Sequence, residues 1–189
     1  MYILKRINTK LAELSLKIQA KFGGTARLLA PLDRLKRPGP RLILFGCLGN
    51  ICRSPYAAVK FEKLLLEKQI DSIEVRSFGL DTTPGLPADE TASRVAAKRG
   101  ILSNGHLTSR FDPDLAAKAD LILVMEPRHQ SMIKRSAPQA ADKTLLLGLL
   151  NLDQGGPVII EDPFMKDDTV FEKCFDQIDS ALKALIDRL

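Results

Sequence analysis

The segment CLGNICRSP at residues 47–55 most constrains the fold of this chain, because different patterns flank it on each side. Before it, the continuous apolar run at residues 42–45 is typical of a strand buried on both faces of a parallel sheet. After it, Ser54 is expected to cap a helix, and Pro55 suits the first turn because no amide hydrogen is needed there. Apolar residues then recur at helical spacing over residues 57–65. The sequence therefore predicts a strand, a loop and a helix in direct succession.

The predicted loop has the composition of an anion site that carries its own nucleophile. Its amides and the amino end of the following helix would together favour negative charge at the loop's centre. Cys47 would point its sulfur there as the thiolate, which is the nucleophilic form of cysteine. Arg53 carries a planar fork of donors that matches two oxygens of a phosphoryl group. These residues predict a phosphate cradle, although the loop alone also fits a strand-to-helix turn with an ordinary buried cysteine.

The remaining loop residues are assigned to substrate binding. Ser54 can donate a hydrogen bond to the sulfur and so ease its departure from phosphorus. Asn50 tolerates left-handed backbone geometry and can hold the loop in shape through its side chain. The substrate-binding positions within the loop are Leu48, Gly49, Asn50, Ile51, Cys52 and Ser54.

Residues 159–164, IIEDPF, supply the proton donor that a phosphoryl-transfer thiolate needs for its leaving oxygen. Asp162 precedes Pro163, which biases it toward an extended conformation. Phe164 would form an apolar wall beside a flat aromatic leaving group, and it joins the substrate-binding positions. Taken alone, the same tripeptide also fits a loop aspartate that starts a turn before the last helix. Asp162 is therefore a candidate general acid.

Strand patterns alternate with helical patterns along the chain. Helical residues include 88–99, which end at Gly100, and the expected strands are residues 42–45, 73–77, 121–125 and 144–147. Such alternation predicts a single α/β domain with parallel pairing, and these sheets bind ligands at the carboxyl ends of their strands. No cluster has metal-ligand spacing, and His129 is expected to lie on the surface of a helix that follows Pro127.

Residues 47–55 resemble the active-site loop of the low-molecular-weight protein tyrosine phosphatases of the bacterial type. Residues 162–164 resemble that family's aspartate-proline-aromatic acid loop, and further similar landmarks are residues 77–79, 87–89, 105–106 and 120–126. The resemblance implies a four-stranded parallel sheet flanked by helices on both faces. It also implies hydrolysis of phosphotyrosine through a phosphocysteine intermediate, without metal or cofactor. Asp162 would first protonate the phenolic oxygen and then act as base toward water, while Arg53 holds the equatorial oxygens.

The resemblance also assigns support for the loop and shows two departures from the family's pattern. Ser77 and His106 would hydrogen-bond with Asn50 and keep the loop in shape. Many relatives have a glutamate where this chain has Ala58, so the partner of His106 stays open. Arg110 stands one place beyond the arginine of many relatives.

Three other functions are compatible with the same loop. An arginine phosphatase has a threonine where this chain has Ile51, and Ile51 favours the tyrosine-directed branch. Arsenate reductases use additional cysteines as a redox relay, and no cysteine lies between Cys52 and Cys174. A non-catalytic phospho-binding module would need neither Cys47 nor Asp162. We therefore expect a protein-tyrosine-phosphatase.

The three cysteines and the absence of a secretory signal favour a reducing, cytoplasmic setting over a disulfide scaffold. Cys174 belongs to the apolar stripe of the last helix, so core packing is expected. Cys52 either traps an oxidised Cys47 as a reversible disulfide or fills the interior of the loop. The resemblance suggests a bacterial tyrosine kinase of the polysaccharide-export type as the phosphoprotein. Nothing in the sequence decides the oligomeric state.

Residues 1–40 differ from the rest of the chain in charge. They hold nine Lys or Arg residues and two acids, a net charge of +7, whereas the whole chain carries +5 and residues 41–189 carry −2. The high pI is therefore a property of this segment, and the remainder gives no electrostatic case for nucleic acid. The sequence predicts a basic amphipathic extension with a linker at residues 1–40 and a phosphatase domain at residues 41–189.

An apolar stripe at helical spacing predicts a helix in the extension, formed by Ile3, Ile7, Leu11, Leu14 and Ile18. Such a helix would lie on an anionic membrane surface or dock on a partner, and it is too charged to span a bilayer. Packing on its own domain, a start site assigned too far upstream and an organelle transit peptide stay open. Residues 36–40, KRPGP, are typical of a linker.

Overall fold

The computed structural model describes residues 2–101 and 105–189, with the side chains of residues 2–8 and 23 outside the description. One sheet of four parallel strands lies at the centre, in the spatial order β2-β1-β3-β4. The strands are β1 (Arg41–Cys47), β2 (Ile73–Gly79), β3 (Leu121–Val124) and β4 (Thr144–Leu146). This architecture confirms the predicted α/β fold with a four-stranded parallel sheet.

Helices flank the sheet and connect its strands. The α-helices are α1 (Tyr2–Gly23), α2 (Thr25–Leu29), α3 (Arg53–Glu67), α4 (Glu90–Lys98), α5 (Pro113–Lys118), α6 (Pro127–Ser136) and α7 (Asp168–Ile186). Three 3₁₀ segments span Ala30–Lys36, Pro138–Lys143 and Leu147–Gln154.

The strand order places the loop after β1 at a point where the sheet's connections diverge. From β1 the chain passes through α3 to β2 on one side, and it then returns across β1 to β3 on the other side. The carboxyl ends of β1 and β3 therefore lie side by side, which is where open α/β sheets form ligand clefts. Every residue of β3 is buried, as its continuous LILV run predicts.

Two local predictions were wrong. Helix α3 begins at Arg53, with Cys52 at the N-cap position, so Ser54 does not cap the helix. Its hydroxyl instead lies 3.0 Å from the sulfur of Cys47. His129 is fully buried rather than on the surface. The reason is that its Nδ1 accepts a hydrogen bond from the amide of Glu126 (3.3 Å), which turns the ring inward at the start of α6.

The second half of the extension packs on the domain. Leu32 and Leu35 in the 3₁₀ segment are buried in the core, and Arg34 pairs with Asp142. Leu11, on the predicted apolar stripe of α1, is exposed like its neighbours Leu14 and Ile18. The side chains of Ile3 and Ile7 lie outside the described residues. Among the helices that the structure describes, none is long and apolar enough to cross a membrane.

Gly148 sits against the segment that leads to Asp162. A Cβ at this position would overlap the carbonyl of Val158, so Gly148→Ala must displace that backbone or strain its own. We expect a loss of about 1–3 kcal/mol in the free energy of unfolding, as for other overpacked positions. Urea unfolding followed by circular dichroism measures this loss, and an unchanged midpoint would contradict the close packing.

Candidate active site

The sulfur of Cys47 lies at the end of β1, surrounded by donors of its own loop. The amide of Asn50 donates to it across 3.2 Å, and the hydroxyl of Ser54 lies 3.0 Å away. The side-chain nitrogen of Asn50 donates to the Ser54 oxygen (2.9 Å), so the hydroxyl hydrogen is left for the sulfur or for the carbonyl of Phe78 at 3.3 Å. A backbone amide and a hydroxyl therefore both lie within hydrogen-bond distance of the sulfur.

Asn50 holds the loop in shape. Its backbone is left-handed, with φ of 55°, and its side chain is fully buried. Its Nδ2 also donates to Ser77 (2.9 Å), its Oδ1 accepts from the Ser109 amide (2.8 Å), and its carbonyl contacts Nε2 of His106 (2.8 Å). The structure therefore brings Ser77 and His106 to the positions that the resemblance assigns them. The Ser109 amide could not be foreseen, because a backbone donor leaves no signal in residue type.

The two departures from the family's pattern have simple structural outcomes. His106 has the Asn50 carbonyl as its partner, and Ala58 is a buried residue without a polar side chain. Arg110 donates through Nε and Nη2 to the carbonyl of Thr82, at 3.1 and 2.9 Å. It therefore fixes the segment that follows β2 rather than contacting the loop of Cys47.

Arg53 is almost completely buried, with 1% of its surface exposed, and it joins three parts of the chain. Its Nη1 donates to Glu126 Oε1 (2.7 Å) and to the carbonyl of Ile160 (3.0 Å). Its Nη2 lies 2.7 Å from Oδ2 of Asp162. Burial by itself lowers the pKa of Arg53, but the charges of Cys47, Asp162 and Glu126 outweigh it and raise the pKa. The guanidinium is therefore a permanent cation at the base of the site.

Glu126, at the N-cap position of α6, was not among the predicted site residues. Glu126 accepts from Arg53 and, at 2.8 Å, from Arg128. Burial by itself raises the pKa of Glu126, but Arg53 and Arg128 together outweigh it and the pKa is lowered. A signal for this residue existed, since Glu126 follows the buried strand β3, which neighbours β1 at the same edge of the sheet.

Asp162 reaches the site although 115 residues separate it from Cys47 in the sequence. The Ile160 amide donates to the carbonyl of Met125 (3.1 Å), and this bond holds the segment beside the end of β3. The Asp162 carboxylate is partly exposed and also lies 3.9 Å from Arg128. Phe164 is half-exposed two residues further on, at the edge of this group.

The other two cysteines are buried free thiols. Burial raises the pKa of Cys52 well above its usual range, and burial raises the pKa of Cys174 to about 12. Cys174 packs in the core from α7, as predicted, and its sulfur lies 3.8 Å from the Glu161 carbonyl. The pairing of Cys52 with an oxidised Cys47 stays a prediction.

The described residues contain no group of three or more His, Cys, Asp or Glu side chains that could hold a metal ion.

His129 is expected to make the fold sensitive to acid. Burial lowers its pKa to about 3, helped by Arg53 and Arg128. In the unfolded chain a histidine titrates near 6.5, so between about pH 6.5 and pH 3 the unfolded state binds more protons. Stability is then lost as the pH falls through this window, by at most about 1.4 kcal/mol per pH unit.

The measurement is the free energy of unfolding in urea between pH 7 and pH 4.5. In His129→Asn the amide oxygen can still accept from the Glu126 amide, but nothing titrates at this position. The pH dependence should therefore become shallower in the variant, whatever its stability at pH 7. Equal slopes in the two proteins would rule out the contribution of His129.

Comparisons with known proteins agree with this geometry. The family model "Low molecular weight phosphotyrosine protein phosphatase" matches residues 42–189. Etp of Escherichia coli K12, a low molecular weight protein-tyrosine-phosphatase, is 35% identical over 78% of this chain and 93% of its own. AmsI of Erwinia amylovora, a probable member of the same group, is 34% identical over 78% of this chain and 96% of its own.

Solved structures include neighbours of two specificities. The tyrosine phosphatase Wzb from Escherichia coli K30, in complex with sulphate, superposes with a TM-score of 0.69 at 36% identity, over 77% of this chain and 96% of its own. The YwlE arginine phosphatase from Geobacillus stearothermophilus has a TM-score of 0.69 at 32% identity, over 78% and 92% of the two chains. The fold alone therefore does not separate the two substrates.

Proposed function

Because the chain belongs to the low molecular weight phosphotyrosine protein phosphatase family and is a protein-tyrosine-phosphatase, we propose that Cys47, Arg53 and Asp162 carry its reaction. One observation carries this proposal above all. The sulfur of Cys47 lies among hydrogen-bond donors at the end of β1, and Arg53, at the start of α3, holds Asp162 at 2.7 Å. A nucleophile, a phosphate clamp and a proton donor thus converge at one edge of the sheet.

In the first step the Cys47 thiolate attacks phosphorus. The sulfur–phosphorus bond forms while the bond from phosphorus to the phenolic oxygen breaks, and Asp162 donates its proton to that oxygen. In the second step the Asp162 carboxylate takes a proton from water, which attacks phosphorus. The sulfur leaves as the thiolate, stabilised by the Ser54 hydroxyl and the Asn50 amide, and inorganic phosphate is released.

Glu126 is proposed as a positioning residue for Arg53. Glu126 and the carbonyl of Ile160 bind Nη1 from one side of the guanidinium. The opposite edge, formed by Nε and Nη2, then remains for two phosphoryl oxygens. A phosphoryl group bound there would compete with Asp162 for Nη2 and so release the carboxylate toward the leaving group.

The roles of Cys47 and Asp162 are tested by hydrolysis of two aryl phosphates with different leaving groups. Cys47→Ser should abolish turnover of both, because serine is not ionised at neutral pH. Asp162→Asn should reduce kcat/KM, which does not include the hydrolysis of the phosphocysteine, by about 10²- to 10⁴-fold for phenyl phosphate. The loss should be smaller for p-nitrophenyl phosphate, whose leaving group is already stable as the anion.

Glu161→Gln is the matched control, since Glu161 is an exposed carboxylate next to Asp162. It should leave both rates close to wild type. Full activity in Cys47→Ser would overturn the nucleophile, and an equal loss of kcat/KM with the two substrates in Asp162→Asn would overturn the general acid.

Ile51 is proposed to favour phosphotyrosine over phosphoarginine. Its side chain is partly exposed in the loop and packs against the core, so it presents an apolar surface near the cradle. We expect Ile51→Thr to raise the ratio of phosphoarginine to phosphotyrosine hydrolysis by roughly tenfold, the effect of one pocket contact. Ile51→Val is the control, because valine has the shape of threonine without its hydroxyl. Equal ratios in the two variants, measured as kcat/KM on matched peptides, would contradict the proposed role.

The substrate class is phosphotyrosine-containing protein, and we propose a bacterial tyrosine kinase in the cytoplasm as the phosphoprotein. The proposed phosphatase domain is residues 41–189, which the family match over residues 42–189 supports. The proposed role of residues 1–40 is to dock the enzyme near its substrate, at a membrane surface or on a partner protein. Their net charge of +7 supports a docking segment, because the rest of the chain is slightly acidic.

A further inference from the structure

Helix α1 turns one face toward the domain. The carboxylate of Glu13 accepts a hydrogen bond from the amide of Val158, at 3.4 Å, and Leu16 packs against the core. Ala12 and Ala20 on the same side are half-buried. The contact with Val158 and the packing of Leu16 define which side of the helix faces away from the protein.

The opposite face carries large apolar side chains in solvent. We call Leu11, Leu14, Ile18 and Phe22 the outer ridge; they expose between 48% and 80% of their surface. Their spacing of three, four and four residues places them on one side of an α-helix, above one another. Such a row of exposed apolar side chains on a helix is typical of a surface that binds another molecule rather than of one that stays in water.

Basic side chains flank the outer ridge. Lys10, Glu13, Lys17 and Lys21 each stand one position before a ridge residue, so they form a parallel row beside it. The sequence of α1 contains one acid, Glu13, and that carboxylate faces the domain, where it pairs with Lys17 at 2.9 Å. Lys10 and Lys21 are therefore the exposed basic groups beside the outer ridge, whereas the charge of Lys17 is paired with Glu13.

We infer that the outer ridge binds an anionic lipid surface, with the apolar side chains at the acyl boundary and the lysines among the headgroups. This inference deepens the proposed docking role of residues 1–40 and rests on it. An interfacial helix needs both features in this arrangement, an apolar stripe and a basic flank. Since none of the described helices is apolar enough to cross a bilayer, α1 would lie in the plane of the interface.

Charge favours lipid over a second copy of this chain. Two outer ridges in contact would bring two rows of lysines together, and like charges at close range oppose association. An anionic membrane attracts the exposed lysines Lys10 and Lys21, at about 1 kcal/mol for each basic residue near the surface. A membrane surface also needs no shape complementary to the ridge.

The test is co-sedimentation of the full chain with two kinds of vesicle, phosphatidylcholine alone and phosphatidylcholine with about 30% phosphatidylglycerol. Wild type should bind the anionic vesicles at least tenfold more strongly than the neutral ones, and added salt should weaken binding because it shortens the range of the attraction. Ile18→Gln/Phe22→Gln should lose binding at least tenfold, and so should Lys10→Gln/Lys21→Gln. Glutamine keeps a high helix propensity, so α1 itself should persist.

Two matched controls separate the ridge from general surface effects. Leu66→Gln removes an apolar side chain that is 78% exposed on α3, and Lys134→Gln/Arg135→Gln removes two exposed charges on α6. Both should bind anionic vesicles like wild type. Equal binding by all variants, equal binding to neutral vesicles, or no binding at all would overturn the inference.

Two further readouts distinguish the alternatives. Light scattering of the free protein tests whether the ridge is covered by a second copy; a dimer that Ile18→Gln/Phe22→Gln dissociates would overturn the lipid assignment. Hydrolysis of p-nitrophenyl phosphate should be unchanged in the ridge variants, so failure of lipid binding and failure of the proposed catalytic function appear in separate assays.

Discussion

The rest of the site depends on the burial of one guanidinium. A cation that is almost withdrawn from water must be paired, since an unpaired buried charge costs several kcal/mol. Arg53 meets this need with Glu126 from the end of β3 and with Asp162 and the Ile160 carbonyl from the segment before α7. These three pairings draw distant parts of the chain to the end of β1. The same charge that would bind a phosphoryl group therefore also assembles the groups that act beside it.

The loop of Cys47 is held in shape by hydrogen bonds between neutral groups rather than by ion pairs. Asn50 satisfies its buried amide with Ser54, Ser77 and the Ser109 amide, which ties the loop to α3, to β2 and to the segment after His106. A left-handed asparagine costs conformational energy, and these bonds offset that cost. The result is a loop whose donors already point at the sulfur. Such preorganised dipoles stabilise developing charge without rearranging during the reaction.

Local patterns predicted the strands and the loop because their signals lie within a few residues. The buried run of β3 and the segment from Cys47 to Arg53 are of this kind. Ser54 and His129 were misplaced for a shared reason: their side chains serve neighbours, the Cys47 sulfur and the Glu126 amide, rather than the local role that residue type suggests. Glu126 was overlooked because its importance arises from the pairing of β1 with β3. The apolar run before Glu126 marks the end of a strand, but the local pattern does not show that this strand lies beside β1.

Helix α1 contacts the segment of the chain that leads to Asp162. Glu13 in α1 binds the amide of Val158, and the Ile160 carbonyl two residues later binds Arg53. Asp162 follows after two more residues. The segment that α1 contacts is therefore the segment that presents the proposed general acid. Gly148 packs closely on the carbonyl of Val158, so this backbone has little room to shift.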